Sequence, residues 1–151
     1  MIFKINVMTY YEFTFRLFAA VGAGMLIGFE REWHHKAAGL RTNTLVSSGA
    51  AMFVILSVLL TKNQGDVTRI VGQVVTGIGF LGAGIIFKEG INIRGLTTAA
   101  TIWCSAAIGS FAGAGYFIET LIGVTTILFV NIILIPIDKW LEKRDKIQAT
   151  K

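Results

Sequence analysis

The chain has 151 residues, 54% of them hydrophobic and 15% charged, with a net charge of +5 and a mean hydropathy of +0.67. A soluble domain carries about 25% charged residues, so the composition describes a single polytopic membrane domain. Its basic residues stand at the ends of apolar segments and in the tail, as the positive-inside rule places them, which argues against nucleic acid as a partner. Cys104 is the lone cysteine, so neither an intrachain disulfide nor a cysteine-built zinc site is available. The start, Met1 to Glu12, lacks the basic, apolar and small-residue regions of a cleavable signal peptide.

The first apolar segment spans 13–29, with Ala20, Gly24 and Gly28 at steps of four on one helical face. Glu12 precedes Arg16 by four residues, the favourable order for a helical ion pair, and Arg16 is near enough to an end to snorkel to the interface. A polar connection, 30–42, carries Glu30, Arg31, Glu32, Trp33, His34, His35 and Arg41. The second span covers 44–60, and a short polar loop with Asp66 leads to the third span, 70–87. Gly77, Gly79, Gly82 and Gly84 lie within that third span. By its letters this is a Gly-x-Gly-x-x-Gly fingerprint, but a dinucleotide site needs a strand before it and a helix after it. Here the glycines sit in about eighteen uncharged residues, enough to cross a hydrocarbon core of roughly 30 Å. They read as a helix-packing surface at the centre of the protein. A turn over 88–94 precedes the fourth span, 96–112, where Thr97, Thr101, Ser105, Gly109 and Gly113 recur every four residues as a second packing stripe. Trp103 and Cys104 border it and read as packing residues. The fifth span, 116–136, ends at Pro136.

These segments predict an all-α fold of about five transmembrane helices over 1–136, followed by a basic tail over 137–151. Five spans put the termini on opposite faces. One face then collects Arg31, Lys36, Arg41, Lys88, Arg94, Lys139, Lys143, Arg144, Lys146 and Lys151; the other has Lys4, Arg16, Lys62 and Arg69. The positive-inside rule makes the first face cytoplasmic and the amino terminus external. Trp140, among lysines and arginines, reads as an anchor on the anionic leaflet.

Two parts of the chain echo each other. Residues 22–26 (GAGML) match 82–86 (GAGII), and Gly39-Leu40-Arg41-Thr42 matches Gly95-Leu96-Thr97-Thr98, at offsets of 60 and 56 residues. A parallel repeat of helix pairs 1-2 and 3-4 would produce this echo; chance likeness between glycine-rich helices is the competing reading. The repeat would bring the two cytoplasmic connections together, with the threonines near helix-capping positions. Acid, amide and base would then share one corner: Glu30, Arg31, Glu32, Arg41, Thr42, Lys88, Glu89, Asn92, Arg94, Thr97 and Thr98.

Gly28-Phe29-Glu30-Arg31-Glu32, Ala38 to Thr42, Asp66 with Arg69, Gly77 to Gly84, and Asn92 to Thr101 together resemble, in order, the MgtC/SapB family of bacterial membrane proteins. The resemblance covers roughly 13–115. It implies a multi-pass protein of the bacterial inner membrane linked to growth at low magnesium and, in pathogens, to virulence. It also implies a regulator that contacts another membrane complex such as ATP synthase. Glu30, Arg41, Asp66, Arg69, Asn92, Arg94 and Thr98 occupy the family's motif positions. Many members carry a soluble domain after the membrane part; this sequence ends fifteen residues after Pro136, so functions seated in such a domain are not carried over.

Three function classes compete. A regulator would use the small-residue stripes for lateral contact, which a homo-oligomer would satisfy as well. A magnesium or other cation transporter needs carboxylates along its path, yet the acids stand at the ends of the spans, with Asn131 the strongly polar residue of the fifth span, a residue type that more often serves as interhelical glue. An enzyme would need a nucleophile–base or metal-ligand spacing. His34 and His35 are adjacent, about 100° apart on a helix, and do not supply the i, i+4 pair of a metal site. The expectation is a non-enzyme with no cofactor, magnesium being the one ion the resemblance brings, and with the bilayer, a membrane complex and its own copies as partners.

Overall fold

The computed structural model describes residues 8–61, 66–89 and 92–148. Five helices dominate it: α1 (Tyr10–Trp33), α2 (Leu40–Thr61), α3 (Val67–Ile85), α4 (Leu96–Ala114) and α5 (Phe117–Gln148). Each contains a stretch long and apolar enough to cross a bilayer, since about twenty helical residues rise about 30 Å. The protein is therefore an all-α, five-span membrane chain. A feature absent from the sequence reading joins α3 to α4. It is an antiparallel hairpin of β1 (Phe87–Glu89) and β2 (Asn92–Arg94), with Phe87 opposite Arg94 and Glu89 opposite Asn92.

The helix ends are settled by local hydrogen bonds. Thr9 and Glu12 form a capping box at the start of α1, the Glu12 carboxylate accepting from the Thr9 amide at 3.0 Å. Glu12 is thus not the ion-pair partner expected for Arg16. The Arg16 guanidinium instead donates to the Gly113 carbonyl at 3.0 Å, meeting one of the free carbonyls in the last turn of α4. At the other end, the Leu40 amide opens α2 by donating to the Glu32 carboxylate at 3.1 Å. The threonines expected to cap do not: Thr42 is inside the first turn of α2, and the residue before α4 is Gly95. Gly95 has φ 91°, and a side chain there would strike the Ile85 carbonyl oxygen, so the chain can turn here only on glycine.

The core is the packing of α1, α2 and α4. In lipid, apolar surfaces gain little by meeting each other, so association rests on van der Waals contact between closely approaching backbones. Two helices supply that approach. On α1, a Cβ at Gly24 would lie 2.8 Å from the Asn43 carbonyl oxygen, and one at Gly28 would lie 2.7 Å from Leu40 Cα. On α4, a Cβ at Gly109 would fall on the Ser47 carbonyl, and one at Gly113 would lie 2.7 Å from the Ala51 carbonyl oxygen. Ala20, Ala51 and Ala112 fill one buried cluster; Ala23, Ile27, Ile108 and Val124 fill another, with Val124 bringing in α5. Helix α5 continues through Pro136 to Gln148, so the residues after Pro136 begin as helix. A proline removes a single i→i−4 bond, and the neighbouring turns carry the helix on.

The glycine-rich segment is not the centre. None of the residues of α3 is buried, whereas ten of α4 are. The reason is angular. Val67, Ile70, Val71, Val74, Ile78, Gly82 and Ile85 recur at three- and four-residue steps and rest half-buried toward α4 and α2. Gly77 and Gly84 fall to one side of this stripe and Gly79 to the other, with nothing within 4 Å of an added Cβ at any of them. Only Gly82 faces a neighbour, at 3.8 Å from Ala99 Cβ. The chain passes through all four as continuous helix, which also removes the cofactor-loop reading. Along the α3–α4 seam, Val71, Val74, Ile78, Trp103, Ala107 and Phe111 line an apolar cleft of about 440 Å³.

Gly109→Ala should therefore destabilise the chain by about 2–3 kcal/mol, the upper part of the range for overpacking, because the obstructing atoms are backbone. Gly84→Ala should be neutral or stabilise by up to about 1 kcal/mol through helix propensity. Unfolding in mixed micelles reads both, and equal effects would contradict this packing.

Candidate functional site

A polar cluster occupies the interior of the bundle at the end where α1 finishes and α4 begins. Glu30, the third residue from the last of α1, is only 6% exposed, and Arg31 is 2% exposed. Helical geometry turns these neighbours about 100° apart, so Glu30 reaches α5 and Arg31 reaches α4. The Glu30 carboxylate Oε2 accepts from Asn131 Nδ2 at 2.9 Å. Arg31 Nη2 donates to Thr98 Oγ1 at 3.3 Å. His34, one turn after Glu30, places Nδ1 at 2.9 Å from the Glu30 main-chain oxygen and at 3.0 Å from the carboxylate Oε1. The carboxylate Oε1 and Arg31 Nε are both buried without a hydrogen bond. Among the described residues, the charged groups of the interior are thus incompletely satisfied.

One turn deeper, Asn43 knits three segments together. Its amide donates to the Ala38 carbonyl at 2.8 Å and the Gly39 carbonyl at 3.0 Å, and its Oδ1 accepts from Ser105 at 2.8 Å. Ser47 adds a bond to the Ala20 carbonyl at 2.8 Å. Asn43 is fully buried, and it fixes the chain between α1 and α2 to α4.

The residues singled out from sequence are distributed as follows. Glu30 and Thr98 are in the cluster, Ser105 is beside it, and Gly24, Gly28 and Gly109 form the close helix contacts around it. Arg41 and Thr42 are exposed on the first turn of α2. Glu89 and Asn92 are backbone partners across the hairpin, their side chains outside the described part; Arg94 is exposed at its base. Asp66 and Arg69 are at the opposite end of the bundle. There they flank a groove of about 520 Å³ between α2 and α3, lined also by Phe53, Leu56 and Ser57. Arg31 is part of the corner expected from sequence, whereas His34, Asn43 and Asn131 are outside it. Asn131 carries a legible signal, since a strongly polar residue in an apolar span is expensive and marks an interior contact, and its bond to Glu30 links α5 to α1 as interhelical glue; Asn43, just before the expected start of the second span, carries none.

Asp66 caps α3. Its Oδ1 accepts from the Thr68 amide at 2.9 Å and from the Thr68 hydroxyl. The hydroxyl bond first, then the amide bond, hold its carboxyl below the ordinary carboxylate value. A depressed folded value means the cap is present above the ordinary value and is lost as pH falls through the lower one. The Thr68 amide shift, followed by NMR, should titrate with a midpoint below that of an unstructured aspartate. A midpoint at or above that value would show the cap unformed.

The five spans and the buried polar interior define a helical multi-pass membrane protein. The MgtC family model matches residues 17–140, and the chain belongs to the MgtC family. It is 56% identical over 119 residues to Protein MgtC of Brucella abortus, covering 79% of this chain and 50% of that one. To Protein MgtC of Salmonella paratyphi A it is 45% identical over 152 residues, covering 95% and 65%. An uncharacterised protein of Synechocystis is 49% identical over 134 residues, covering 89% and 57%. The chain thus spans about half to two thirds of the length of these relatives. None of their names describes a catalytic activity. No solved structure matches the chain.

Proposed function

We propose that this chain is a non-enzymatic regulator of the bacterial inner membrane that acts by lateral contact with another membrane complex during adaptation to low magnesium. In this reading the amino terminus is outside, the carboxyl terminus is in the cytoplasm, and the cluster at Glu30 is at the cytoplasmic end. ATP synthase is the partner the family resemblance brings, and virulence in pathogens would follow from the same adaptation. The observation that carries the reading is the free face of α3. Gly72, Thr76, Gly79 and Ala83 recur at steps of four, three and four on the side turned away from α4, all exposed. Nothing lies within 4 Å of an added Cβ at Gly72 or Gly79. Small residues at such spacing let a second helix approach closely, and no described residue of the chain packs on Gly72 or Gly79. A homo-oligomer would be formed by the same face.

Cation passage is the competing reading, and the buried Glu30 carboxylate is the observation on its side, since an ionisable group inside a bundle is a mark of ion paths. Sealed liposomes containing the folded chain and an internal magnesium indicator separate the two. The regulator predicts influx no greater than in empty liposomes; influx above them would overturn it. Added to inverted vesicles, the chain should reduce proton pumping driven by ATP synthase. Gly79→Leu should require at least about tenfold more protein for the same effect, equivalent to roughly 1.4 kcal/mol of contact. Equal potency would remove α3 as the contact.

A further inference from the structure

The orphaned oxygen of Glu30 is in an unusual place. A carboxylate taken out of water needs a partner that matches its charge, yet among the described residues no Lys or Arg nitrogen comes within ion-pair distance of Glu30, whose attraction to the neighbouring Arg31 guanidinium acts without direct contact. Its oxygens meet a neutral amide, Asn131 at 2.9 Å, and an imidazole, His34 Nδ1 at 3.0 Å from Oε1. Imidazole is the side chain whose charge changes in the physiological range. When Nδ1 carries the proton, it points to the Glu30 main-chain oxygen, 2.9 Å away, so Oε1 is beside that bond and is left without one of its own. The ring spans the boundary of the bundle: the His34 side chain is 33% exposed, the Glu30 side chain 5%.

We propose that Glu30 and His34 form a proton-exchange site, in which the ring passes protons between water at the end of α1 and the buried carboxylate. Water gives a proton to Nε2 while Nδ1 gives its proton to Oε1. The ring ends neutral in its other tautomer, the carboxylate ends as a neutral acid, and the site has gained one proton. Reversal returns the proton to water. The ligand is a proton and not a metal ion, because the Arg31 guanidinium is next in sequence and also buried. No group of three His, Cys, Asp or Glu forms among the described residues. On loading, the Asn131 bond to Oε2 changes from a charge-assisted bond to a weaker neutral one, which loosens the link between α1 and α5.

On α1, Arg31 is the charged neighbour, Glu32 is engaged at the Leu40 amide, and His35 and Lys36 follow His34 in the chain. Helix α4 faces the site with Thr98 and has no acid or base besides the Cys104 thiol. Helix α5 faces it with Asn131; its Glu119 is at the far end, and past Ile137 it carries Asp138, Lys139, Glu142, Lys143, Arg144, Asp145 and Lys146. Arg41 of α2 and Arg94 of β2 are exposed, and the hairpin also carries Lys88 and Glu89.

The site stands independently of the regulator reading, and infrared difference spectroscopy on the full chain in lipid nanodiscs tests it. Lowering the pH should raise a carboxylic-acid C=O band that is lost in Glu30→Gln, with circular dichroism showing that the variant is folded. In His34→Phe the band should persist but rise at least about tenfold more slowly after a pH jump, because the ring that passes the proton is gone. A band unchanged in folded Glu30→Gln, or a wild-type rate in His34→Phe, would overturn the site. If Glu30→Gln does not fold, the His34→Phe rate alone decides, because that ring is one-third exposed and its loss leaves the core intact.

Discussion

The structure depends on how closely α4 can lie against α2. A Cβ at Gly109 would occupy the Ser47 carbonyl and one at Gly113 would meet the Ala51 carbonyl, so the two helices touch through backbone. That contact also sets a register. Ser105 bonds to Asn43, Gly109 meets Ser47 and Gly113 meets Ala51, a constant offset along two helices running the same way. Steps of four residues advance each helix by about one turn, so the pairing holds over two turns without slipping. Continued two turns further toward the start of α4, the same face brings Thr98 to Arg31. The polar cluster is thus a consequence of glycine packing deeper in the bundle. Side chains enlarged at the glycines would separate the helices, taking Ser105 from Asn43 and Thr98 from Arg31.

Hydrogen bonds then give that packing its specificity. Small residues alone would let α4 slide or rotate on α2, because one alanine or glycine surface resembles the next. A fully buried amide with partners on the connection before α2 and on α4 permits only one arrangement. Interhelical bonds of this kind contribute about 0.6–2 kcal/mol each in membranes, less than the cost of leaving the buried group unpaired. Their value is therefore mostly in excluding alternatives.

Much of this was legible. Five apolar segments gave the five helices to within a few residues at most ends, because length and hydropathy follow directly from bilayer thickness. The Thr101–Ser105–Gly109–Gly113 stripe was visible because its period matches a helical face. Three features were not. The expectation that Gly77–Gly84 forms the centre treated glycine number as if it were glycine placement; four glycines dispersed around a helix make no single contact surface. The Glu12–Arg16 pair lost to two backbone groups, an amide at the start of α1 and a carbonyl at the end of α4, because unpaired backbone at helix ends competes for the same side chains. The burial of Arg31 was hidden because a basic residue just past an apolar span satisfies the positive-inside rule equally well exposed or buried. For the candidate site, sequence order brought Glu30 and Thr98 together through the echo of the two connections, but Asp66 and Arg69, grouped with them by motif alone, are at the opposite end.

Where the chain is under-satisfied is more informative than where it is well packed. Sequences specify one structure when packing, polar pairing and local propensity agree, and the exceptions concentrate at functional places. Here the exceptions are of two chemically different kinds. Helix α3 keeps glycine, at some cost in helix propensity, at positions where its own chain places no neighbour; an alanine at Gly72 or Gly79 would fit without strain. Glycine there has no close packing neighbour among the described residues, a role the proposed lateral contact would supply. Glu30 and Arg31 show the reverse case, charge kept inside a bundle that could have been filled more stably with apolar side chains of similar volume. Nor are they fully satisfied, since Arg31 Nε and Glu30 Oε1 are each buried without a hydrogen bond, Oε1 meeting only the His34 ring. A surface left open to the bilayer suits recognition by another helix, and an interior charge left partly unpaired suits a change of protonation. The bond from Glu30 to Asn131 connects that interior charge to α5, so a proton arriving at the end of α1 alters a contact between two spans.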